Sequence, residues 1–582
     1  MSGIKSRLVG KSRISLVTAG AAIIFCGGIA TTAMSEPVPI VGTSTNSQHT
    51  YLTFSSHHET TATAKAYMQA IDPGATKVNF VDWLVNAGFI SQASEWKPTG
   101  QQVYTNVPGD YGYGKVNAFA HMIILNAADL GFIRNQYIRC KPDCKTKGAK
   151  VYTYLENYGS TQFDSNGVKQ QNNAAAVSIA LERRDGAPPT GRIADVAFEW
   201  APASNGSSPT TNFGQLYAYV VQPRLTNIQC PAPTAPTGTP VLDVNGNPVV
   251  DELYTWPDNG GTDQAFWDCK FNTRSLTTQP TEFLNPRPDQ LVYSNDDFAP
   301  ELDALGTKPM PGVCFICHGG DVPSNIQNTL FWPNSGKVTD FRFLPADGIN
   351  AVFGADDTAA PLVTGATGAN MTRAGQETEL KKYNQAVAIT QGATPPKNAF
   401  FAADGTIAGG NWTVPKARDD QGVTRPSHGL EVIFGWYAGF PGDLSMSFPS
   451  QQDSFTPAGW PQTGPANVLY HKVVVPSCRS CHMNRELSLD FGTLNQFDNN
   501  KGNVEQLVFQ PQCDSNMNKV TGNKIVMPLA RVTWNRFWTG IDQTTNIQFA
   551  PPGLPADDPN SQPFLLKQHF GYTATSYCAK QH

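Results

Sequence analysis

Charge is scarce in this chain. Asp, Glu, Lys and Arg make up 15% of its 582 residues, against 40% hydrophobic, and the formal net charge is −5. Four of the 42 basic residues (Lys5, Arg7, Lys11 and Arg13) fall in the first 35 positions; without them 38 basic residues face 47 acidic ones. That balance lacks the basic face that nucleic acid or anionic lipid requires. After residue 30 no apolar run is long enough to span a bilayer. G-x-S-x-G and the P-loop are missing, and the glycines of GDYGYG, 109–114, are wrongly spaced for a dinucleotide fold. What is plentiful is Gly (51) and Pro (44), which with the hydrophobic content describes a folded, loop-rich chain. Its length admits roughly two to four domains.

Residues 1–35 read as an export signal: a basic start, an apolar stretch from Ile14 to Ala30, then small residues with cleavage expected after Ala33 or Ser35. The mature chain is then expected in the periplasm or outside the cell, with no membrane span. Of 11 cysteines, Cys26 leaves with the signal and four lie in two short motifs. The even remainder suits three disulfides in an oxidising compartment, and sequence proximity suggests Cys140–Cys144, Cys230–Cys269 and Cys513–Cys578.

Helical patterns at 59–72 and 79–90 precede short β-branched and aromatic runs between 103 and 222. The expected fold class is α+β and multidomain: a β-rich, sandwich-like N-terminal domain over 36–228, then a Pro/Thr connector and turn-rich segment over 229–300. Two mostly α-helical, loop-rich haem domains follow over 301–455 and 456–582. The strongest helix is expected at 372–389, with apolar residues on one face and charges on the other.

Cys314-Phe315-Ile316-Cys317-His318 and Cys478-Arg479-Ser480-Cys481-His482 share one spacing. C-x-x-C-H suits covalent haem: the two thiols reach the two vinyl groups of one porphyrin edge, and the adjacent imidazole is carried to the iron. Zinc would need four ligands gathered from pairs 160 residues apart, and a redox C-x-x-C has no use for the histidine. The expected cofactors are therefore two covalently bound haems c, held by Cys314, Cys317, Cys478 and Cys481 and ligated by His318 and His482. Met527, in Val-Met-Pro-Leu, is the expected sixth ligand of the second iron. For the first iron the candidates are Met371 and His428, then Met446 and, from the β-rich domain, His121. His57-His58 and the oxygen-rich 258–263 turn read as solvated tail and turn.

KPMPGVCFICHGG, FRFLPAD, TRAGQETELKKYNQAV, IFGWY, VVVPSCRSCH and the closing VMPLARVTWNRFW together resemble a family of secreted bacterial diheme c-type cytochromes. The resemblance covers about 300–540 and is weaker upstream, in NAADLGF and YLENYG. It implies a β-rich region followed by two haem-binding segments and electron transfer, with Met527 on the second haem. Relatives tend to carry His where this chain has Leu529. The function expected is that of an exported electron carrier, not an enzyme, working with a redox partner protein. The alternatives are a diheme peroxidase or oxygenase with one open iron, and a surface binding protein that uses its haems for extracellular electron exchange.

Overall fold

The aromatic and β-branched runs of the first half pair into one antiparallel sheet. The computed structural model describes residues 67–77, 80–95, 116–126, 133–158, 192–202, 213–219, 341–353, 372–440, 444–483, 489–504 and 559–571, with shorter pieces that include 314, 317–318 and 338–339. The expected signal segment (1–35), the expected connector (229–300), Met371, Met527, His57-His58, the oxygen-rich stretch 258–263 and the cysteines at 230, 269, 513 and 578 lie outside these residues. Among the described residues, no helix is long and apolar enough to cross a membrane.

Helix α1 (Phe80–Ala87) precedes five strands, β1 (Ala120–Asn126), β2 (Ile133–Lys141), β3 (Lys150–Tyr158), β4 (Arg192–Ala201) and β5 (Phe213–Tyr219). They form a meander closed at each edge by a two-residue strand from much later in the chain. These are β6 (Val338–Thr339) beside β5 and β7 (Ala351–Val352) beside β1. Cys140 and Cys144 are disulfide-bonded at the turn after β2.

Register sorts the side chains into two faces, because successive residues of a strand point opposite ways. His121, Tyr137, Tyr154, Ala197 and Tyr217 run in one row across the sheet. The neighbouring row, Ala120, Ile138, Thr153, Phe198 and Leu216, faces the other side. On the tyrosine face lies α1, with Phe80 edge-on to Tyr154 at 5.2 Å and Trp83 donating from Nε1 to Glu199 at 3.0 Å. On the Phe198 face lies α2 (Arg373–Thr390), whose buried Tyr383 bonds to Gln136. Where a sandwich would set a second sheet, the described residues set helices on both faces.

Thr372 caps α2 by accepting from Gly375 N–H at 3.0 Å. The expected charged outer face is only partly there: Lys381 is buried, and burial lowers its pKa. More telling are the buried amides. Gln376 accepts from Ile123 N–H (2.7 Å) and donates to its carbonyl (2.9 Å). Asn384 does the same for Ala346 (2.8 and 3.0 Å) and Gln385 for Ile407 (2.8 and 2.9 Å). Each amide supplies the donor and acceptor that a neighbouring strand would supply, so irregular backbone can be buried without orphaned polar groups.

One core therefore joins the sheet to residues expected in the first haem domain. Phe341, Phe343, Tyr383, Ile433 and Trp436 share it with Phe198 and Trp200. A second core, around Trp460, Tyr470, Phe491, Phe497 and Phe570, lies within the expected 456–582 unit.

Gly214 in β5 lies under Phe341; a β-carbon there would sit 1.9 Å from the Phe341 ring. Gly214→Ala should cost roughly 1–3 kcal/mol through overpacking, read as a lower urea midpoint in fluorescence-monitored unfolding.

Candidate haem sites

Both C-x-x-C-H motifs are built on one local scheme. In the first, Arg342 N–H donates to the His318 carbonyl at 3.0 Å, and His318 Nδ1 lies 3.0 Å from the Arg342 carbonyl. The His318 ring stacks on Phe341 (5.4 Å, 14°) and lies 4.8 Å from Phe198. In the second, Phe491 N–H donates to the His482 carbonyl at 3.1 Å, and His482 Nδ1 lies 2.7 Å from the Leu489 carbonyl. Phe491 stacks on His482 at 3.9 Å and 5°. A carbonyl only accepts, so each Nδ1 carries the proton and each Nε2 keeps its lone pair. That is the tautomer and the fixed ring orientation that an iron ligand needs.

A helical run leads into the second motif: α3 (Pro465–Leu469), a π-helical stretch over Tyr470–Val474, and α4 (Val475–Ser477). Cys478, Cys481 and His482 continue it as turns, with Cys478 N–H on the Val474 carbonyl (2.9 Å) and His482 N–H on that of Cys478 (3.0 Å). The motif's remaining polar residues are anchored in the strap that follows β6, residues 341–350. Arg479, fully buried, donates from Nε (3.0 Å) and from Nη2 (2.6 Å) to one oxygen of Asp347. Asn350 donates to the Val475 carbonyl (2.8 Å) and to Ser480 (3.1 Å).

The two motifs meet. Cys317 and Cys481 approach to 3.2 Å between sulfurs. Among the described residues, no three His, Cys, Asp or Glu side chains gather as around a bare metal ion. Haem asks for no such cage, because the porphyrin supplies four of the iron's ligands and one histidine the fifth.

His428 opens the helix His428–Trp436 and is buried. Its Nδ1 is 2.7 Å from Asp490, and its buried Nε2 has no hydrogen-bond partner among the described residues. Asp490 adjoins the two residues that orient His482; burial raises its pKa, and His428 and then Arg342 pull the other way. Gly492 admits the imidazole, since a β-carbon there would lie 2.9 Å from that of His428. A carboxylate-backed imidazole with an unused ring nitrogen is a ligand-type environment.

The other candidates separate. His121 lies on the tyrosine face, bonded to Asn135 and stacked on Tyr137 at 4.1 Å, with the sheet between it and the Phe198 face that carries His318. The sheet thus separates it from His318. Met446 is buried in the main core. Arg479, Asp347, Asn350 and Asp490 were not expected; the one available signal was an arginine set between the two cysteines of the second motif. No protein-family model, curated protein or solved structure matches this chain.

Two outcomes follow. Asp347→Ala leaves a buried guanidinium unpaired and should cost roughly 3–5 kcal/mol, while Asp347→Leu with Arg479→Met should recover most of it in urea unfolding. His471, in the π-helical stretch, has its pKa lowered from 6.5, first by burial and then by Arg479. The unfolded chain therefore takes up this proton first as pH falls below 6.5, and stability falls with it. Wild type should lose more stability than His471→Asn between pH 7 and about 5, measured by thermal unfolding at each pH.

Proposed function

We propose that the chain is an exported diheme c-type cytochrome that carries electrons through two covalently attached haems. The observation that carries this reading is the shared build of the two motifs. In each, a backbone carbonyl fixes the histidine tautomer and an aromatic ring lies flat against the imidazole. A chance C-x-x-C-H has no reason to acquire either, and both copies have both.

The chain's own residues divide the work. Cys314, Cys317, Cys478 and Cys481 hold the porphyrins, and His318 and His482 offer Nε2 to the irons. When bound, the haems supply one-electron cycling between ferric and ferrous iron. His428 offers a third imidazole, already oriented by Asp490. Met371 and Met527 remain the proposed thioether ligands. The acidic balance of the mature chain favours a basic redox partner. The layout of two haem segments after a β-rich region fits the resemblance to secreted diheme cytochromes.

The peroxidase-type alternative needs one iron with an open sixth position. Haem is to be counted by the pyridine assay, and carbon monoxide added to the dithionite-reduced protein. Two haems per chain and an unchanged visible spectrum are expected. A carbon monoxide spectrum from one haem of the two would replace the electron carrier by an oxidoreductase with an open iron. A chain that takes up no haem would end the reading.

A further inference from the structure

We infer that the two haems form a single contacting pair, held together by the strap at 341–350, rather than two centres carried on separate domains. The inference rests on reading both motifs as haem sites and adds where those sites stand relative to each other.

Two independent observations bring them together. The first is the 3.2 Å approach of Cys317 and Cys481, the second cysteine of each motif. In a thioether each sulfur would be bonded to the former vinyl carbon at the edge of its porphyrin, so sulfurs this close would bring two porphyrin edges together.

The second is the strap. His318 is tied at residue 342 through both its backbone carbonyl and its ring. Motif two is tied at residue 347 through Arg479 and at residue 350 through Ser480 and the Val475 carbonyl. Five residues separate 342 from 347, and extended chain covers at most about 3.6 Å per residue, so the anchors lie within roughly 18 Å. The strap is not free to lengthen. Asn384 holds both polar groups of Ala346, Gln451 adds bonds to the Ala346 carbonyl and, at 2.7 Å, to Gly348 N–H, and Thr390 accepts from Phe343 N–H at 3.3 Å.

A contacting pair acts as one unit. An electron entering at either haem would be shared with the other without an intervening protein path, and a charge placed on one would change the cost of placing a charge on the other.

The test is circular dichroism of the Soret band on the holoprotein, with haem counted in the same sample. Two like haems in contact give a couplet of opposite-signed lobes. The couplet should be present in the fully oxidised protein, collapse at half reduction, when the two absorb at different wavelengths, and return on full reduction. A Cys478→Ala/Cys481→Ala chain should carry one haem and show a single-signed band. Should that variant fail to fold, the redox titration of the wild type decides alone. Two haems per chain with a single-signed Soret band at every stage would overturn the pair and leave the diheme reading standing. No haem at all would remove both.

Discussion

The arrangement around the two motifs depends on a buried ion pair. Arg479 stands between the cysteines of the second motif, with no solvent exposure, and its partner Asp347 lies in the strap that also orients the first motif's histidine. Burial by itself would lower the arginine's pKa, but the charge of Asp347, and after it Tyr470, outweighs that, and the net shift is upward. The guanidinium is enclosed on its faces too, with Trp436 at 5.4 Å and Tyr470 at 5.9 Å. A buried pair of this kind adds little net stability over an apolar replacement of the same shape. What it adds is position. Hydrophobic contacts slide, whereas two donors converging on one carboxylate oxygen fix where the motif meets the strap.

The same logic explains how a chain so rich in Gly and Pro buries irregular backbone. The strap contains Pro345 and Gly348 and forms neither helix nor sheet over most of its length, yet most of its residues are buried. Its polar groups are satisfied by side-chain amides of Asn384, Gln391 and Gln451 and by the hydroxyl of Thr390. Gln376 and Glu379 do this for β1, where His121 N–H and Ile123 N–H would otherwise form a bare sheet edge. The low charge content and this reliance on amides are two sides of one design: neutral partners can enter a core at a desolvation cost that charged ones would multiply.

How much of this was legible follows from the range of the interactions. The chemistry of the motifs was legible because it is local: five consecutive residues specify two thiols and one imidazole. Helix 372–389 was legible within a residue at each end because Thr372 caps it and its period is regular. The burial of Lys381, Asn384 and Gln385 was not, because their partners Tyr437, Ala346 and Ile407 are 22 or more residues away in sequence. The strands of 120–219 could be read from alternation, but not the edge strands Val338–Thr339 and Ala351–Val352, since two residues carry no period. Those two strands carry the core across the expected division between a β domain and a haem domain. His428 was nominated from its place before a helix; its partner Asp490, 62 positions later, had no sequence signal at all.

The position of Asp490 ties the third imidazole to the second motif. Leu489, Asp490, Phe491 and Gly492 are consecutive, and their contributions differ. Leu489 fixes the His482 tautomer, Asp490 that of His428, Phe491 stacks on His482, and Gly492 leaves room for His428. An oxygen faces Nδ1 of all three imidazoles, and for two of them it comes from neighbouring residues of one short segment. His428 Nε2 is buried with nothing bonded to it among the described residues, a buried polar atom left unsatisfied at a cost of about 1–3 kcal/mol. A partner on that nitrogen would remove the cost, which the packing of the helix that carries His428 does not.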